Sequence, residues 1–379
     1  MNEGKEEWQE DVLDSPPITL STLEELKEDL LFHAHSDTST AQAHALPETA
    51  PTRQRASISA QSLDQDEYLP GRLSGTHKGE FVSALAADQT VLYLAYGSNL
   101  ASETFLGTRG IKPLSQLSVV VPELRLTFDL PGVPYVEPCF AGTHFRHIPA
   151  SQNNTQIASD TSEKHSLLQT QARDQDLYNG PLIGVVYEVT LSDYAKIIAT
   201  EGGGRGYKDI IITCYPFPAN HGPSDPIPDQ PSTRPVKAHT LLSPAGMEEL
   251  LRFQSQSNPL DLPYRPNQRY AQPSPRYLNL ITTGAAEHNF PLVYQGYLAQ
   301  IETYHITSVR QKIGKVLFLA IWGPWILLML ALGRIFARPD GRSPEWVGRY
   351  SDFVTASMWS SYDKVFRRVF GDGERTVGR

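Results

Sequence analysis

Between Val316 and Gly333 the chain carries no charged residue. At 1.5 Å per residue such a helix reaches roughly 27 Å, close to the ~30 Å hydrocarbon core of a bilayer. Lys312, Lys315, Arg334 and Arg338 bracket the run as interfacial anchors, and Gly323-Pro324 predicts a kink. The expectation is a single transmembrane helix over 312–336. A re-entrant or interfacial helix and a very apolar core helix are the alternatives. Both flanks are basic, so the positive-inside rule gives no orientation. The N-terminus is acidic and no apolar leader follows it, so the simplest topology leaves the large N-terminal part in the cytosol. Residues 337–379 alternate apolar side chains with Lys364, Arg367 and Arg368, which predicts a basic amphipathic helix on a membrane surface, or a disordered tail.

The opposite end of the 379-residue chain has the opposite character. Residues 1–85 are rich in Ser, Thr, Asp, Glu, Gln and Ala, and bury too little surface to offset ordering entropy. They are expected to be disordered, apart from a short amphipathic stripe over Leu23–Phe32. His33 and His35 read as solvated, with no further ligands near. The net charge of −9 argues against bulk nucleic-acid binding. Two cysteines, Cys139 and Cys214, make neither a metal site nor a disulfide scaffold, and point to a reducing compartment.

A globular pattern occupies 86–306. Val91–Ala95 reads as a buried strand, stopped by Tyr96-Gly97-Ser98-Asn99-Leu100. Gly97 permits φ > 0, Ser98 and Asn99 bond back to the backbone, and Ser102 with Glu103 predicts a helix start. Further strands are expected at Ser118–Val121, Leu124–Phe128, Phe140–Phe145, Leu182–Val189, Tyr207–Tyr215 and Val236–Leu242, with a turn at Asp129–Pro134. Helices are expected from Asp193, capped by Ser192, to Thr200, then over Arg276–Glu287 and Val293–Ile301. The polar stretch 149–178 and the Pro-rich stretch 216–236 read as insertions. The sequon Asn153-Asn154-Thr155 lies in the first, but glycosylation needs a secretory lumen. Strands with short helices between them, without strict βαβ alternation, make an α+β domain on a small barrel-like sheet.

Three pieces carry candidate chemistry. A strand ending in a small-residue turn gathers backbone N–H groups that suit an anion. Tyr277 enters a helix behind Pro275. Glu201 ends a helix at the negative pole of its dipole, which predicts a raised pKa suited to proton transfer; a solvated surface glutamate before glycines is the plain alternative. Ser98 lacks a Gly-x-Ser-x-Gly elbow and a paired base, which argues against a serine nucleophile.

Tyr96–Leu100 after an apolar strand resembles the signature loop of the gamma-glutamylcyclotransferase family. Gly184–Val189 is similar to its central strand, and Ala199–Gly202 with Gly206-Tyr207 to its catalytic-glutamate segment. Pro273–Tyr277, Gly284–Asn289 and Pro291–Gln295 resemble its C-terminal region. The resemblance covers 88–306. It implies a small mixed β-barrel with flanking helices and the release of 5-oxoproline from a γ-glutamyl amide. Glu201 is then the catalytic base and acid. Tyr96, Gly97, Ser98, Asn99, Leu100, Tyr207 and Tyr277 bind substrate, and no metal or cofactor is needed. The glycine run Gly202–Gly206 departs from the family loop, and its Arg205 meets either an anionic substrate or solvent. A membrane-anchored, non-catalytic binding or scaffold protein on the same fold is the competing reading.

Overall fold

The computed structural model describes residues 46–58, 90–146, 178, 180–201, 207–243, 270–338 and 341–377. The Leu23–Phe32 stripe, His33, His35, the sequon and Gly202–Gly206 with Arg205 lie outside the described residues.

Five strands close a barrel in the order β1, β5, β2, β6, β7: β1 (Thr90–Ala95), β5 (Leu182–Thr190), β2 (Ser115–Val121), β6 (Lys208–Pro216) and β7 (Val236–Leu242). Neighbours are antiparallel except at the closure, where β1 meets β7 in parallel at Tyr93 opposite His239. The near-continuous apolar runs of β1 and β5 follow from this position: both faces are covered, and Val91, Leu94, Val185 and Val186 are fully buried.

Beside the barrel, β3 (Leu124–Val133) and β4 (Glu137–Phe145) form a two-stranded hairpin. The expected turn at Asp129–Pro134 is corrected here. The strand continues through it with a register shift between Thr127 and Leu130, and the reversal falls at Tyr135, which takes φ 66°.

A helix over Leu191–Thr200 (α2) follows β5. Its cap is Thr190 rather than Ser192: the Thr190 hydroxyl accepts from the Asp193 N–H at 3.1 Å. Helix α3 (Pro275–Glu287) is capped by Ser274, and α4 (Leu292–Gln300) follows. Within the 216–236 stretch, residues 217–235 lack regular structure but are tied down, with Pro223 O accepting from Leu292 N–H and Phe217 N–H donating to Ser118 O. Cys139 and Cys214 are buried, unpaired thiols.

Residues 46–58 correct the reading of 1–85 as wholly disordered. Glu48 pairs with Gln116 on β2, and a short helix follows at Pro51–Ala56 (α1). Arg53 bridges to Glu188 at 3.4 Å, and Glu188 also accepts from the hydroxyls of Thr90 and Ser115 at 2.7 Å each. The segment adds backbone partners at the β2 rim, which local hydropathy does not reveal.

The apolar run lies in α5 (Val309–Ile335), opened by a capping box between Ser308 and Gln311, with Pro324 inside it. The helix is long and apolar enough to cross a membrane. Of the two alternatives for the tail, the structure has the helical one and not the disordered one: it folds back on α5 as α6 (Glu345–Ser361), a π-helical turn (Tyr362–Phe366) and a last helical turn (Arg367–Phe370). Residues 371–377 then bind the domain, with Tyr135 N–H donating to Gly373 O and Gln272 N–H to Glu374 O.

Candidate active site

Two glycines fix where the chain leaves β1. A Cβ at Gly184 would lie 2.5 Å from the Ala95 carbonyl oxygen, and one at Gly284 would lie 2.4 Å from the Leu100 carbonyl carbon. Only hydrogen at these positions lets β5 and α3 press directly on both sides of the turn. The turn itself is a 3-10 turn over Ser98–Leu100, closed by Leu100 N–H to Gly97 O (3.0 Å) and Ala101 N–H to Ser98 O (3.2 Å). The first N–H groups of such a turn have no partner within it.

Gly97 takes φ −108°, so its expected left-handed conformation is corrected. Its role is space: a Cβ there would stand 3.4 Å from the Tyr277 hydroxyl and 3.5 Å from Ala141 Cβ. Ser102 is not a side-chain cap either. Its N–H and hydroxyl both donate to Glu287 Oε2 at 2.8 Å, tying the turn to the end of α3.

A small, partly open cavity is lined by Tyr93, Tyr96, Gly97, Ser98, Asn99, Ala141, Glu201, Tyr207, Leu241 and Tyr277. Seven of the eight residues expected at the site therefore converge. Leu100 does not: it is fully buried under Gly284 and belongs to the core.

Glu201 caps α2, its N–H donating to Ile197 O and Ile198 O. Its carboxylate was expected to face only the negative helix end. Instead Arg109 Nη2 stands 2.6 Å from Oε1, and Asn99 Nδ2 donates to the same oxygen at 3.2 Å. The described residues make no hydrogen bond to Oε2, so one oxygen is pinned and the other is left for a ligand. Arg109 closes the π-helical turn Glu103–Thr108, and its guanidinium also donates to the Thr200 hydroxyl. The Glu201 bond fixes the Asn99 amide: Nδ2 must face the carboxylate, and it also donates to the Tyr93 hydroxyl at 2.9 Å. Asn99 Oδ1 is then a buried acceptor without a partner among the described residues, in a residue only 3 % exposed. An unmet buried acceptor costs ~1–3 kcal/mol, which a donor in the cavity would recover.

Tyr277 and Tyr207 grip one residue of β4. The Tyr277 hydroxyl accepts from Ala141 N–H at 3.1 Å, and the Tyr207 hydroxyl donates to Ala141 O at 2.9 Å. The Tyr96 hydroxyl donates to Leu241 O. Burial, reinforced by the Glu201 charge, pushes the phenols of Tyr93, Tyr96, Tyr207 and Tyr277 well above their ordinary range. All four stay protonated at neutral pH.

Arg109, Tyr93 and Ala141 were missed by sequence reasoning. Tyr93 alternates with Leu92 and Leu94 along β1, and a tyrosine in an otherwise aliphatic strand is a usable signal. Nothing local marks Arg109, which meets Glu201 only because the turn and α2 end at the same rim.

Residues 308–369 match the family described as the AclK C-terminal domain. The chain is 31 % identical over 285 residues to the gamma-glutamyl cyclotransferase gliK of Aspergillus fumigatus, covering 75 % of this chain and 89 % of that one. It is 33 % identical over 298 residues to the gamma-glutamyl cyclotransferase aclK of Aspergillus oryzae, covering 76 % and 91 %. A solved structure titled gamma-glutamyl cyclotransferase aligns over 58 % of this chain and 92 % of its own, at 18 % identity and TM-score 0.35. Both Aspergillus relatives are matched over nearly their whole length at more than 30 % identity: this chain belongs to the gamma-glutamyl cyclotransferase family.

Proposed function

We propose that this protein cyclises a γ-glutamyl amino acid or amide, releasing 5-oxoproline and the free amine, with Glu201 as both base and acid. The observation that carries the reading is Glu201 itself, with Oε1 pinned by Arg109 and Asn99 and Oε2, like the acceptor Asn99 Oδ1 in the same cavity, bonded to none of the described residues.

In this reading the substrate's α-ammonium donates to Asn99 Oδ1 and gives one proton to Glu201 Oε2. The freed amine nitrogen attacks the γ-carbonyl carbon and closes a five-membered ring. Negative charge gathers on the carbonyl oxygen, where the N–H groups of the 97–99 turn receive it. As the amide C–N bond breaks, the departing nitrogen takes the first proton back from Glu201; the ring nitrogen then gives its second proton to Glu201, which passes it to the free amine, so the products are the neutral lactam and an ammonium. Nucleophile and electrophile share one molecule, so the site has only to hold the folded substrate. The neutral phenols of Tyr207 and Tyr277 wall the cavity and keep Ala141 in place. Association with a membrane through α5, with the catalytic domain on the cytosolic side, is part of the proposal; the length and composition of the helix support it.

The test is a panel of γ-glutamyl amino acids and amides, γ-glutamyl-alanine among them, incubated with the full-length chain and scored for 5-oxoproline. Glu201→Gln should lose about 10²–10⁴-fold in turnover. Full activity of Glu201→Gln, or no turnover of any γ-glutamyl compound, sinks the proposal and favours a binding protein on the same fold.

A further inference from the structure

The apolar helix does not stand free of the domain. Successive contacts lock α5 against the returning segment along its length. A Cβ at Gly314 would lie 2.6 Å from Phe370 Cβ, and the Phe318 and Phe366 rings meet edge-on at 4.9 Å. Trp322 Nε1 donates to Ser361 Oγ at 2.8 Å, and the Phe336 and Trp346 rings are 5.0 Å apart. The partner residue number falls as the α5 number rises, so the two legs are an antiparallel hairpin about 40 Å long.

Both ends of the hairpin are fastened to the catalytic domain. At the open end, Phe318 meets Tyr135 at the β3–β4 tip with ring centroids 5.9 Å apart, and the Tyr135 N–H donates to Gly373 O at 2.8 Å. At the closed end, Gly341 takes φ +76°, and a Cβ there would lie 1.9 Å from the Ala195 carbonyl oxygen of α2. A helix with both ends on one domain cannot place them on opposite sides of a bilayer.

The second leg adds an independent argument. It carries Arg349, Asp352, Asp363, Lys364, Arg367 and Arg368 along the stretch that covers α5. A perpendicular span would draw these charges into hydrocarbon, at ~2.5–3.5 kcal/mol for each Arg, Lys or Asp near the centre. Only the outward face of α5 is free of them. That face exposes Val309, Ile313, Val316, Leu317, Ile321 and Leu328, with Val316 66 % and Ile321 52 % exposed. Exposed Arg310, Lys312, Arg334 and Arg338 stand at its two ends. An apolar stripe with cations at both ends matches a leaflet of acyl chains under anionic headgroups.

We propose that α5 lies in one leaflet, parallel to the membrane plane, and holds the domain against the bilayer as a monotopic anchor rather than crossing it. This rests on the membrane association proposed above and sharpens its topology. In sealed microsomes from cells expressing the full chain, single cysteines are introduced as His305→Cys before α5 and Ala337→Cys after it. The native chain, whose two thiols are buried, serves as the blank. Both variants should react with a membrane-impermeant maleimide on the cytosolic side without detergent. Reaction of one end only after permeabilisation would overturn the inference and leave membrane association standing, since α5 then spans. Absence of the chain from the membrane fraction, or failure of the purified chain to float with phosphatidylcholine–phosphatidylserine vesicles, would overturn both. So would a soluble dimer with Val316 and Ile321 covered.

Discussion

The barrel strands β1 and β5 and the helix α5 are both strongly apolar in sequence and opposite in what they do with it. In β1 and β5 the aliphatic side chains are sealed from solvent, and the polar cavity of the candidate site is cut into that interior at the strand end. In α5 only one face is packed, and large aliphatic side chains stand outside. Hydropathy alone therefore does not locate a core. A closed sheet covers both faces of its strands, whereas a two-legged hairpin can cover only one side of each leg.

That contrast can be broken at several points, from the largest effect to the smallest. Removing the proton carrier with Glu201→Gln should cost turnover about 10²–10⁴-fold while thermal unfolding stays close to the native chain. Gly97→Val puts methyl groups beside the Tyr277 hydroxyl and Ala141; turnover of γ-glutamyl-alanine should fall about tenfold or more even with Glu201 intact, while Gly97→Ala, whose Cβ finds ordinary contacts, should be far milder. Gly284→Ala drives a methyl into the Leu100 backbone and should lower stability by about 1–3 kcal/mol in chemical denaturation, with a matching loss of activity.

The double variant Val316→Asp/Ile321→Asp sits at the other pole. It should detach the chain from vesicles, yet change detergent-solubilised turnover by no more than about twofold, because neither side chain is part of a packed core. A matching collapse of turnover would mean that the two regions are not independent.

The smallest effect concerns His288, which joins the regions around the turn. Its Nε2 lies 2.8 Å from the Tyr187 hydroxyl and 3.1 Å from Leu100 O, and burial lowers its pKa below the ordinary 6.5. A group depressed in the folded state leaves stability intact above its unfolded value. That stability is lost as pH falls from about 6.5 towards the folded value, where the unfolded chain binds the extra proton. The unfolding temperature should drop over that window, and His288→Gln should flatten the slope.

Much of the site was legible before any coordinates. The strand-stop at Tyr96–Asn99, the glutamate at the end of α2 and Tyr277 behind a proline are local patterns, and local patterns survive in sequence. Their partners are not local. Arg109 reaches Glu201, and Ala141 reaches Tyr207 and Tyr277, across loops whose closure depends on the whole barrel. Gly97 shows a subtler limit. Its presence was readable, but the reason is a neighbour at 3.4 Å and not its own dihedral angle.

By itself, then, the sequence determined which segments are strands and helices, which glutamate ends α2, and that one helix is too apolar for an ordinary surface. Those properties are set by residue periodicity and backbone preference within a few residues. Tertiary structure decided that Leu100 is core and not pocket, that residues 46–58 are part of the barrel rim, and that the tail returns along α5 to fasten both its ends. Each of these depends on contacts between residues far apart in the chain, where shape and charge at the meeting point, and not local pattern, set the free energy.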